Sequence, residues 1–358
     1  MKSIIKKTIY FFTPHKIRQQ LKIWRKKQAI AKSLKRNFYY DYIRFKTHAC
    51  PDRLFRHQEH LRSYIIMLYH SVEKGLALPE PRPGFGKDKI DMLFDALELY
   101  HSQHYKADNQ IIAAIKALEA YIAFNLQRHY DVHAIRSRLQ RISQHFLQAS
   151  NENGSSGGTL FITKDEIWQS CKMNLIPFFE HRYSIRQFDA SPVALDLIAK
   201  AIQMAQKAPS VCNRQSGKVY VFDNDEKGKA VLSCQNGNRG FGHTADKILI
   251  ITSELGIFLG VGERNQCWID GGLFAMSLIY ALHSLGLGTC CLNWSVEQDV
   301  DRKLRRIAKI KDAENIIMLI ALGHIPSQLV VARSQRKDLA EVAYFHTAEN
   351  PIMQNNTI

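Results

Sequence analysis

The stretch Arg182-Tyr-Ser-Ile-Arg186-Gln-Phe188, followed later in the chain by Pro209-Ser-Val-Cys-Asn213-Arg-Gln215, is the most informative part of this sequence. The first segment offers two guanidinium groups and a hydroxyl within about five residues, a set suited to a phosphate and a carbonyl-rich ring. The second segment offers amide and hydroxyl groups that can bind the edge of a heterocycle. Alone, the first is usually a surface helix start and the second a turn, so neither decides the function by itself.

Positive charge is concentrated at the N-terminus. The chain has 358 residues, 46% of them hydrophobic, and a formal net charge of +16. Residues 1–36 contain twelve lysines and arginines and no acidic residue, with Phe11, Phe12 and Trp24 among them. This pattern favours an anionic membrane surface or a partner protein, and a solvated tail is the alternative. Nucleic acid is not an expected partner, because the sequence contains no recognisable binding module.

Composition divides the chain into five segments. Asn151-Glu-Asn-Gly-Ser-Ser-Gly-Gly158 has the composition of a flexible linker and marks the clearest boundary. Isoleucines and leucines recur at helical spacing before it, for example in Ile111–Phe124. We therefore predict a basic N-terminal arm over residues 1–50, a helical region over 51–150, a linker over 151–162, a second folded domain over 163–346 and a tail over 347–358.

The second domain alternates between helices and strands. Thr163-x-x-Glu166 has the form of a capping box, which predicts a helix leading to Phe178-Phe179. Apolar patterning then predicts helices over 193–208 and 266–285, and strands over 217–223, 247–253, 287–293 and 315–323. Helices between apolar strands indicate an α+β or α/β layered fold.

Cysteine usage and hydropathy indicate the compartment. The seven cysteines form no Cys-x-x-Cys pair and are odd in number, which favours a reducing, cytoplasmic location. No apolar run approaches the roughly 18 residues of a membrane-spanning helix. The apolar stretch Ile9–Phe12, ended by Pro14, is too short for a signal peptide. We therefore expect a cytoplasmic protein, with peripheral association at the inner face of the membrane as a further option.

Taken in order, five segments over about residues 165–346 resemble the FMN-binding signature of the nitroreductase family. The first matches the family's Arg-Arg-Ser-x-Arg-x-Phe element except at Tyr183. The second matches Ala-Pro-Ser-x-x-Asn-x-Gln, although Ser216-Gly217 replaces the usual Pro-Trp. Asp270-Gly-Gly to Gly288 is similar to the family's central helix and its exit, and Cys291-Leu-Asn293-Trp294 follows. Gly323-His-Ile-Pro326 and the basic segment Arg333–Lys337 complete the set.

The resemblance implies a fold and a cofactor site. The fold would be α+β, with a central mixed or antiparallel sheet flanked by helices and preceded by a mainly helical N-terminal region. Arg182 and Ser184 would hold the FMN phosphate with the basic C-terminal segment, and Arg186 would approach the N1/O2 side of the ring. The residues that would contact FMN are Arg182, Ser184, Arg186, Pro209, Ser210, Asn213, Gln215, Asn238, Asn293, Trp294, Ser334 and Arg336.

The resemblance also implies a function. The protein would be an FMN-dependent oxidoreductase in which NADH or NADPH reduces the flavin at N5 and a small or sugar-linked acceptor is then reduced at the same face. This ping-pong chemistry needs no catalytic protein residue and no metal. The family's homodimer, with each FMN between two subunits, would follow. Two alternatives remain: a dehydrogenase whose substrate reduces the flavin, and a non-catalytic flavin-fold protein that acts as a membrane-associated partner.

The N-terminal half is less informative. His70-Ser-Val-Glu73-Lys74 and Arg82-x-Gly-Phe-Gly86 resemble an extension found in nitroreductase-like proteins linked to bacterial surface-polysaccharide synthesis. His70 and Glu73 share one helix face and have the residue types of metal ligands. Because no second cluster is visible, an ion pair or hydrogen bond between them is the favoured interpretation.

Overall fold

The N-terminal half is helical. The computed structural model describes residues 14–146, 157–170 and 174–345. Its first five helices are α1 (His15–His48), α2 (Gln58–Leu76), α3 (Lys87–Ser102), α4 (Asn109–Leu126) and α5 (His133–Phe146). The Asp108 carboxylate caps α4 by accepting hydrogen bonds from the backbone N–H groups of Gln110 and Ile111. Helices α2 to α5 surround one apolar core, in which Tyr100 and Tyr121 are the largest fully buried side chains.

The C-terminal half contains a four-stranded sheet between helices. Its elements are α6 (Lys164–Ser170), α7 (Leu175–Glu180), α8 (Leu195–Ala205), β1 (Gly217–Asp223), α9 (Glu226–Leu232), β2 (Lys247–Glu254), α10 (Gln266–Ser284), β3 (Leu287–Asn293), α11 (Gln298–Ala308) and β4 (Glu314–His324). The strand order is β1-β2-β4-β3, and all neighbouring pairs are antiparallel. This arrangement confirms the predicted α+β class with an antiparallel central sheet and a helical N-terminal region.

Burial explains why the strands could be predicted. Every residue of β2 is buried, because α8 and α10 cover one face of the sheet and α9 and α11 cover the other. Such a strand contains a continuous apolar run, here Ile248–Ile251, rather than an alternation of apolar and polar residues. The observed strands begin and end within one residue of the predicted ones. The short helices α9 and α11 were not predicted, since each has only about two to three turns in which to show a period.

The capping box at Thr163 is confirmed. The Glu166 carboxylate accepts a hydrogen bond from the Thr163 backbone N–H at 2.7 Å, and Thr163 Oγ1 accepts one from the Glu166 N–H at 3.1 Å. The predicted helix to Phe178-Phe179 is observed as two helices, α6 and α7. Residues 171–173 between them lie outside the described residues.

The C-terminal part of α1 contacts the C-terminal half of the chain. The Arg36 guanidinium donates hydrogen bonds to Glu297 at 3.0 Å and to Asp299 at 2.9 Å. Next to it, Asn37 Oδ1 accepts a hydrogen bond from the Gln298 backbone N–H at 2.7 Å. Further along, the Cys50 N–H donates to the Phe258 carbonyl at 2.9 Å. The predicted basic arm of residues 1–50 is thus anchored over its last third, while residues 1–13 lie outside the described residues.

The end of the predicted linker contacts the helical region. Residues 147–156 lie outside the described residues, but the Gly158 N–H donates a hydrogen bond to the Glu73 carboxylate at 3.0 Å. His70 Nδ1 lies 3.5 Å from the same carboxylate. The favoured ion-pair interpretation of His70 and Glu73 agrees with this geometry. Within residues 14–146, 157–170 and 174–345, no group of three or more His, Cys, Asp or Glu could hold a metal, and no helix could cross a bilayer.

Candidate functional site

The Arg182–Phe188 segment lies along the free edge of β3. Ser184 forms a parallel bridge with Thr289, and the Ile185 N–H donates a hydrogen bond to the Thr289 carbonyl at 2.8 Å. Alternate side chains of an extended segment point to opposite sides. Ile185 is buried, so Arg182, Ser184 and Arg186 share the other side. The edge of the sheet thereby places two guanidiniums and a hydroxyl in a row.

The C-terminal segment reaches the same place. One cavity of about 840 Å³, here named the Arg182 cavity, is lined by five of the twelve predicted cofactor residues: Arg182, Ser184, Arg186, Ser334 and Arg336. Arg333 also lines it, giving four arginines against one carboxylate, Glu180. In the part of the chain that the structure describes, no carboxylate lies within 4 Å of any of these guanidiniums. The cavity is therefore strongly electropositive and suited to an anion.

Backbone carbonyls orient two of these arginines. Arg336 Nη1 donates a hydrogen bond to the Ser334 carbonyl at 2.7 Å, and Arg186 Nη1 lies 3.4 Å from the Ser184 carbonyl. The Arg186 guanidinium also lies 5.9 Å from the centre of the Phe241 ring. Each contact uses only part of a guanidinium's five donors, so most of the hydrogen-bonding capacity is left for a ligand.

The Pro209–Gln215 loop is a separate, strained element. Ser210 Oγ accepts a hydrogen bond from the Gln215 N–H at 3.0 Å, and Asp270 on α10 accepts one from the Val211 N–H at 3.1 Å. Cys212, Asn213 and Gln215 all have positive φ, which costs a non-glycine residue about 1–2 kcal/mol. Strain of this kind is retained where the surrounding structure fixes a loop, commonly at functional sites.

The loop borders a second, smaller cavity. Pro209, Ser210 and Gln215 line a space of about 80 Å³ with Asp270 and Phe274 of α10, here named the Ser210 cavity. Asn213 is exposed beside it. Both cavities border α10, the Ser210 cavity at Asp270 and the Arg182 cavity at Tyr280. These positions are separated by about 15 Å along the helix axis, at 1.5 Å per residue. Within one chain, the two predicted cofactor elements thus line different cavities.

Besides Asn213, three predicted residues line neither cavity. The Asn238 side-chain amide donates to the Leu232 carbonyl, at the C-terminal end of α9, at 2.9 Å. Asn293 Oδ1 accepts from Gln235 Nε2 at 3.2 Å. Trp294 Nε1 donates to Asp301 at 2.8 Å, and its indole packs in the apolar cluster on that side of the sheet. Local hydrogen bonds occupy all three side chains, and their contact with a cofactor stays a prediction.

The Arg182 cavity contains residues that the sequence did not single out. The rings of Phe179 and Tyr280 are 4.8 Å apart and line the same side of the cavity. His283 Nε2 lies 3.0 Å from the Phe178 carbonyl oxygen and so connects α10 to α7. Burial lowers the pKa of His283. Tyr280 falls on the exposed side of a mainly buried helix, but that pattern alone does not identify a ligand-binding residue.

The Cys290 thiol is not activated as a nucleophile. Burial raises the pKa of the Cys290 thiol, and the more distant charge of Arg186 only partly opposes this effect. A thiol with a raised pKa is mostly protonated at neutral pH and is a poor nucleophile. Cys290 instead packs in the buried apolar cluster on one face of the sheet.

Sequence comparison identifies the family of most of the sheet-containing region. Residues 179–234 and 228–324 match the sequence profile of the nitroreductase family. A nitroreductase family domain therefore occupies the C-terminal half of the chain. No curated protein sequence matches the chain.

Solved structures resemble about half of the chain. An FMN-dependent nitroreductase from Clostridium difficile R20291 is 22% identical, with 48% of this chain and 99% of that one covered and a TM-score of 0.41. A nitroreductase family protein from Clostridium difficile 630 is 19% identical, with 49% and 99% covered and a TM-score of 0.42.

Proposed function

We propose that this protein is an FMN-dependent oxidoreductase that uses NADH or NADPH to reduce a small or sugar-linked acceptor. One observation carries the proposal: arginines from the Arg182–Arg186 segment and from the Arg333–Arg336 segment, distant in sequence, line one cavity. The family match over residues 179–324 makes FMN the cofactor that we expect there. The proposed catalytic domain is residues 163–346, with the helical region 51–150 as an accessory domain.

The residues of the Arg182 cavity fit a flavin phosphate. Guanidiniums and hydroxyls are side-chain groups that bind a phosphate dianion well. The cavity offers four guanidiniums and the hydroxyls of Ser184 and Ser334. Arg182, Ser184 and Arg336 would hold the phosphate. When bound, FMN would accept a hydride from the nicotinamide and pass it to the acceptor. Arg186 would lie beside the ring's carbonyl edge and stabilise negative charge there, which makes the flavin easier to reduce.

A homodimer would complete the site. The Ser210 and Arg182 cavities are separate within one chain, which agrees with an FMN held between two subunits, one supplying each element. An apolar surface on α10 supports this proposal. Trp268, Ile269 and Leu273 are 45%, 54% and 43% exposed and lie close together on one helix, as in a surface patch that binds another protein.

We further propose that α1 associates with an anionic membrane surface. Ile17, Leu21 and Trp24 are exposed and follow the i, i+4, i+7 spacing of one helix face. This face is about half a turn away from Tyr40 and Arg44, which contact the C-terminal half. Lysines and arginines flank it, and each adds roughly 1 kcal/mol of attraction near an anionic surface.

A vesicle experiment tests the membrane proposal. We expect the chain to sediment with phosphatidylserine vesicles at low salt and to be released at high salt. Leu21→Glu with Trp24→Glu should abolish sedimentation. Ile30→Glu is the matched control, because Ile30 is equally exposed but lies on another side of the helix. Equal sedimentation of all three proteins would contradict the proposal.

Anaerobic titration with NADH and NADPH tests the oxidoreductase proposal. We expect the purified protein to be yellow and its flavin absorption to bleach on addition of at least one nicotinamide. A flavin that binds but does not bleach would favour the alternatives, a substrate-reduced dehydrogenase or a non-catalytic flavin-fold partner in surface-polysaccharide synthesis. A colourless protein that takes up no added FMN would refute the proposal.

A further inference from the structure

A second arginine-lined cavity lies where α1 contacts α11. This α1–α11 cleft has a volume of about 830 Å³, within the size range of small-molecule sites. Arg44 lines it from α1, and Arg302, Arg305 and Arg306 line it from α11. One carboxylate, Asp312, is also part of the lining. The cleft shares no lining residue with the Arg182 cavity.

Two of these arginines are buried without full compensation. Arg305 is 4% exposed; its Nε donates to Asp301 at 2.6 Å and its Nη1 to the Lys311 carbonyl at 2.8 Å. Its Nη2 is buried and has no hydrogen-bond partner in the described ranges. Arg44 is 6% exposed and donates to neutral carbonyls, with Asp312 O at 2.8 Å from Nη2. Burial and the charge of Arg305 lower the pKa of Arg44, as expected for two neighbouring cations.

The other two arginines are at the exposed side of the cleft. Arg302 lies over the Tyr40 ring at 4.9 Å, and Arg44 contacts the same ring at 5.4 Å. A ring that contacts two guanidiniums helps to hold both in position. Arg306 Nε lies 3.3 Å from the Arg302 carbonyl. Over residues 14–146, 157–170 and 174–345, no carboxylate lies within 4 Å of the Arg302 or Arg306 guanidinium.

We propose that the α1–α11 cleft binds a phosphate or pyrophosphate group, at a site distinct from the proposed flavin site. Guanidiniums that converge from two helices match the several oxygens of a phosphate, and Arg44 is buried with only neutral carbonyls as hydrogen-bond acceptors. The volume admits more than one phosphoryl group. The group could belong to a soluble compound or to a lipid headgroup, and the experiment below separates the two sources.

Pyrophosphate titration of the full-length protein tests the site. We expect the double variant Arg302→Gln, Arg306→Gln to bind pyrophosphate at least tenfold more weakly than the wild type, since each charge-assisted contact contributes about a factor of ten or more. Both residues are exposed, so the variant should keep the wild-type melting temperature. A second double variant, Arg182→Gln, Arg336→Gln, removes the phosphate ligands of the other cavity, so the pyrophosphate binding that it retains belongs to the α1–α11 cleft.

The outcomes separate this proposal from the flavin proposal. If pyrophosphate binding is lost only in the Arg182 and Arg336 variant, the α1–α11 site is refuted and the flavin site is supported. Loss only in the Arg302 and Arg306 variant supports the α1–α11 site whether or not FMN binds. No pyrophosphate binding to the wild type, together with equal sedimentation on phosphatidic acid and phosphatidylserine vesicles of matched charge, overturns the proposal.

The vesicles also identify the source of the phosphate. For a lipid headgroup, we expect the wild type to prefer phosphatidic acid over phosphatidylserine, and the Arg302 and Arg306 variant to lose that preference. For a soluble compound, pyrophosphate binds the wild type and neither vesicle type competes with it.

Discussion

The Arg182 cavity and the α1–α11 cleft each contain four arginines, but they are built differently. In the Arg182 cavity, Arg186 and Arg336 are exposed and donate hydrogen bonds to carbonyls two residues away in the chain. In the α1–α11 cleft, Arg44 and Arg305 are buried and their guanidiniums are fixed by groups distant in sequence or by the buried Asp301. Two clusters of four arginines can therefore differ in how their side chains are held. In one the guanidiniums are exposed and available to a ligand, and in the other the fold already holds two of them in place.

Asp301 joins the cleft to the core. Its carboxylate accepts hydrogen bonds from Tyr40 at 2.8 Å, Trp294 at 2.8 Å and Arg305 at 2.6 Å. Three elements (α1, the end of β3 and α11) therefore depend on one buried charge. Altering Asp301 should accordingly change stability, whereas altering the arginines of the Arg182 cavity should change ligand affinity.

The largest effect should come from Asp301→Ala. Removing this carboxylate leaves the buried Arg305 uncompensated, and breaking a buried pair in this way costs about 3–5 kcal/mol. We expect the midpoint of urea unfolding to fall accordingly. The matched control is Asp299→Ala, which removes an exposed ion pair with Arg36 and should change the free energy of unfolding by less than about 1 kcal/mol. Equal effects of the two substitutions on the free energy of unfolding would contradict the conclusion that Asp301 holds Arg305 in the cleft.

The next largest effect concerns FMN affinity. We expect Arg182→Ala to weaken FMN binding by about 1.5–3 kcal/mol, the range for a hydrogen bond to a charged group, and Arg336→Ala to do the same. The free energy of unfolding of the apoprotein should stay unchanged, because neither guanidinium contacts a carboxylate of the described chain. Fluorescence titration of FMN measures the affinity, with Lys229→Ala on α9 as a control. Unchanged FMN affinity would remove both residues from the phosphate site.

The two cavities also differ in how far the sequence predicts them. The strands of the sheet were predicted nearly to the residue because fully buried strands leave continuous apolar runs, as in β2. The residues of the Arg182 cavity come from two short segments whose residue types suit an anion by themselves. That they would line one cavity was an expectation from the family resemblance, and five of the twelve predicted residues do so.

The sequence contains no comparable pattern that predicts the α1–α11 cleft. Tyr40 and Asp301 are separated by 261 positions, and neither has a local pattern that identifies the other. The basic composition of residues 1–36 indicates a charged arm but not which part of it contacts the C-terminal half. Trp294 illustrates the same limit, because its hydrogen bond to Asp301 depends on the position of a helix that was not predicted.

A third prediction concerns the packing that positions Arg182 and Arg186. A Cβ added at Gly288 would lie 3.0 Å from Ile185 Cγ2 and from Ile325 Cγ1. We expect Gly288→Ala to destabilise the protein by about 1–3 kcal/mol by overpacking and to weaken FMN binding by displacing the neighbouring arginines. Gly272→Ala is the control, because a Cβ there meets nothing within 4 Å. If the unfolding midpoint falls while FMN affinity stays at the wild-type value, the edge of β3 does not position the phosphate ligands.

The smallest expected effect is a pH dependence confined to the cleft. Burial opposes ionisation of Asp301, but the charge of Arg305 and hydrogen bonds from Trp294, Arg305 and Tyr40 outweigh it, so the pKa of Asp301 lies below its ordinary value of 3.8. A carboxyl group with a lower pKa in the folded state stabilises the fold above the unfolded-state pKa, and this stabilisation is lost as the pH falls through the folded-state pKa. The free energy of unfolding of the wild type should therefore decrease below about pH 4 more steeply than that of Asp301→Asn. Parallel pH profiles of the two proteins would mean that Asp301 does not provide the charge that holds Arg305 and Tyr40 together.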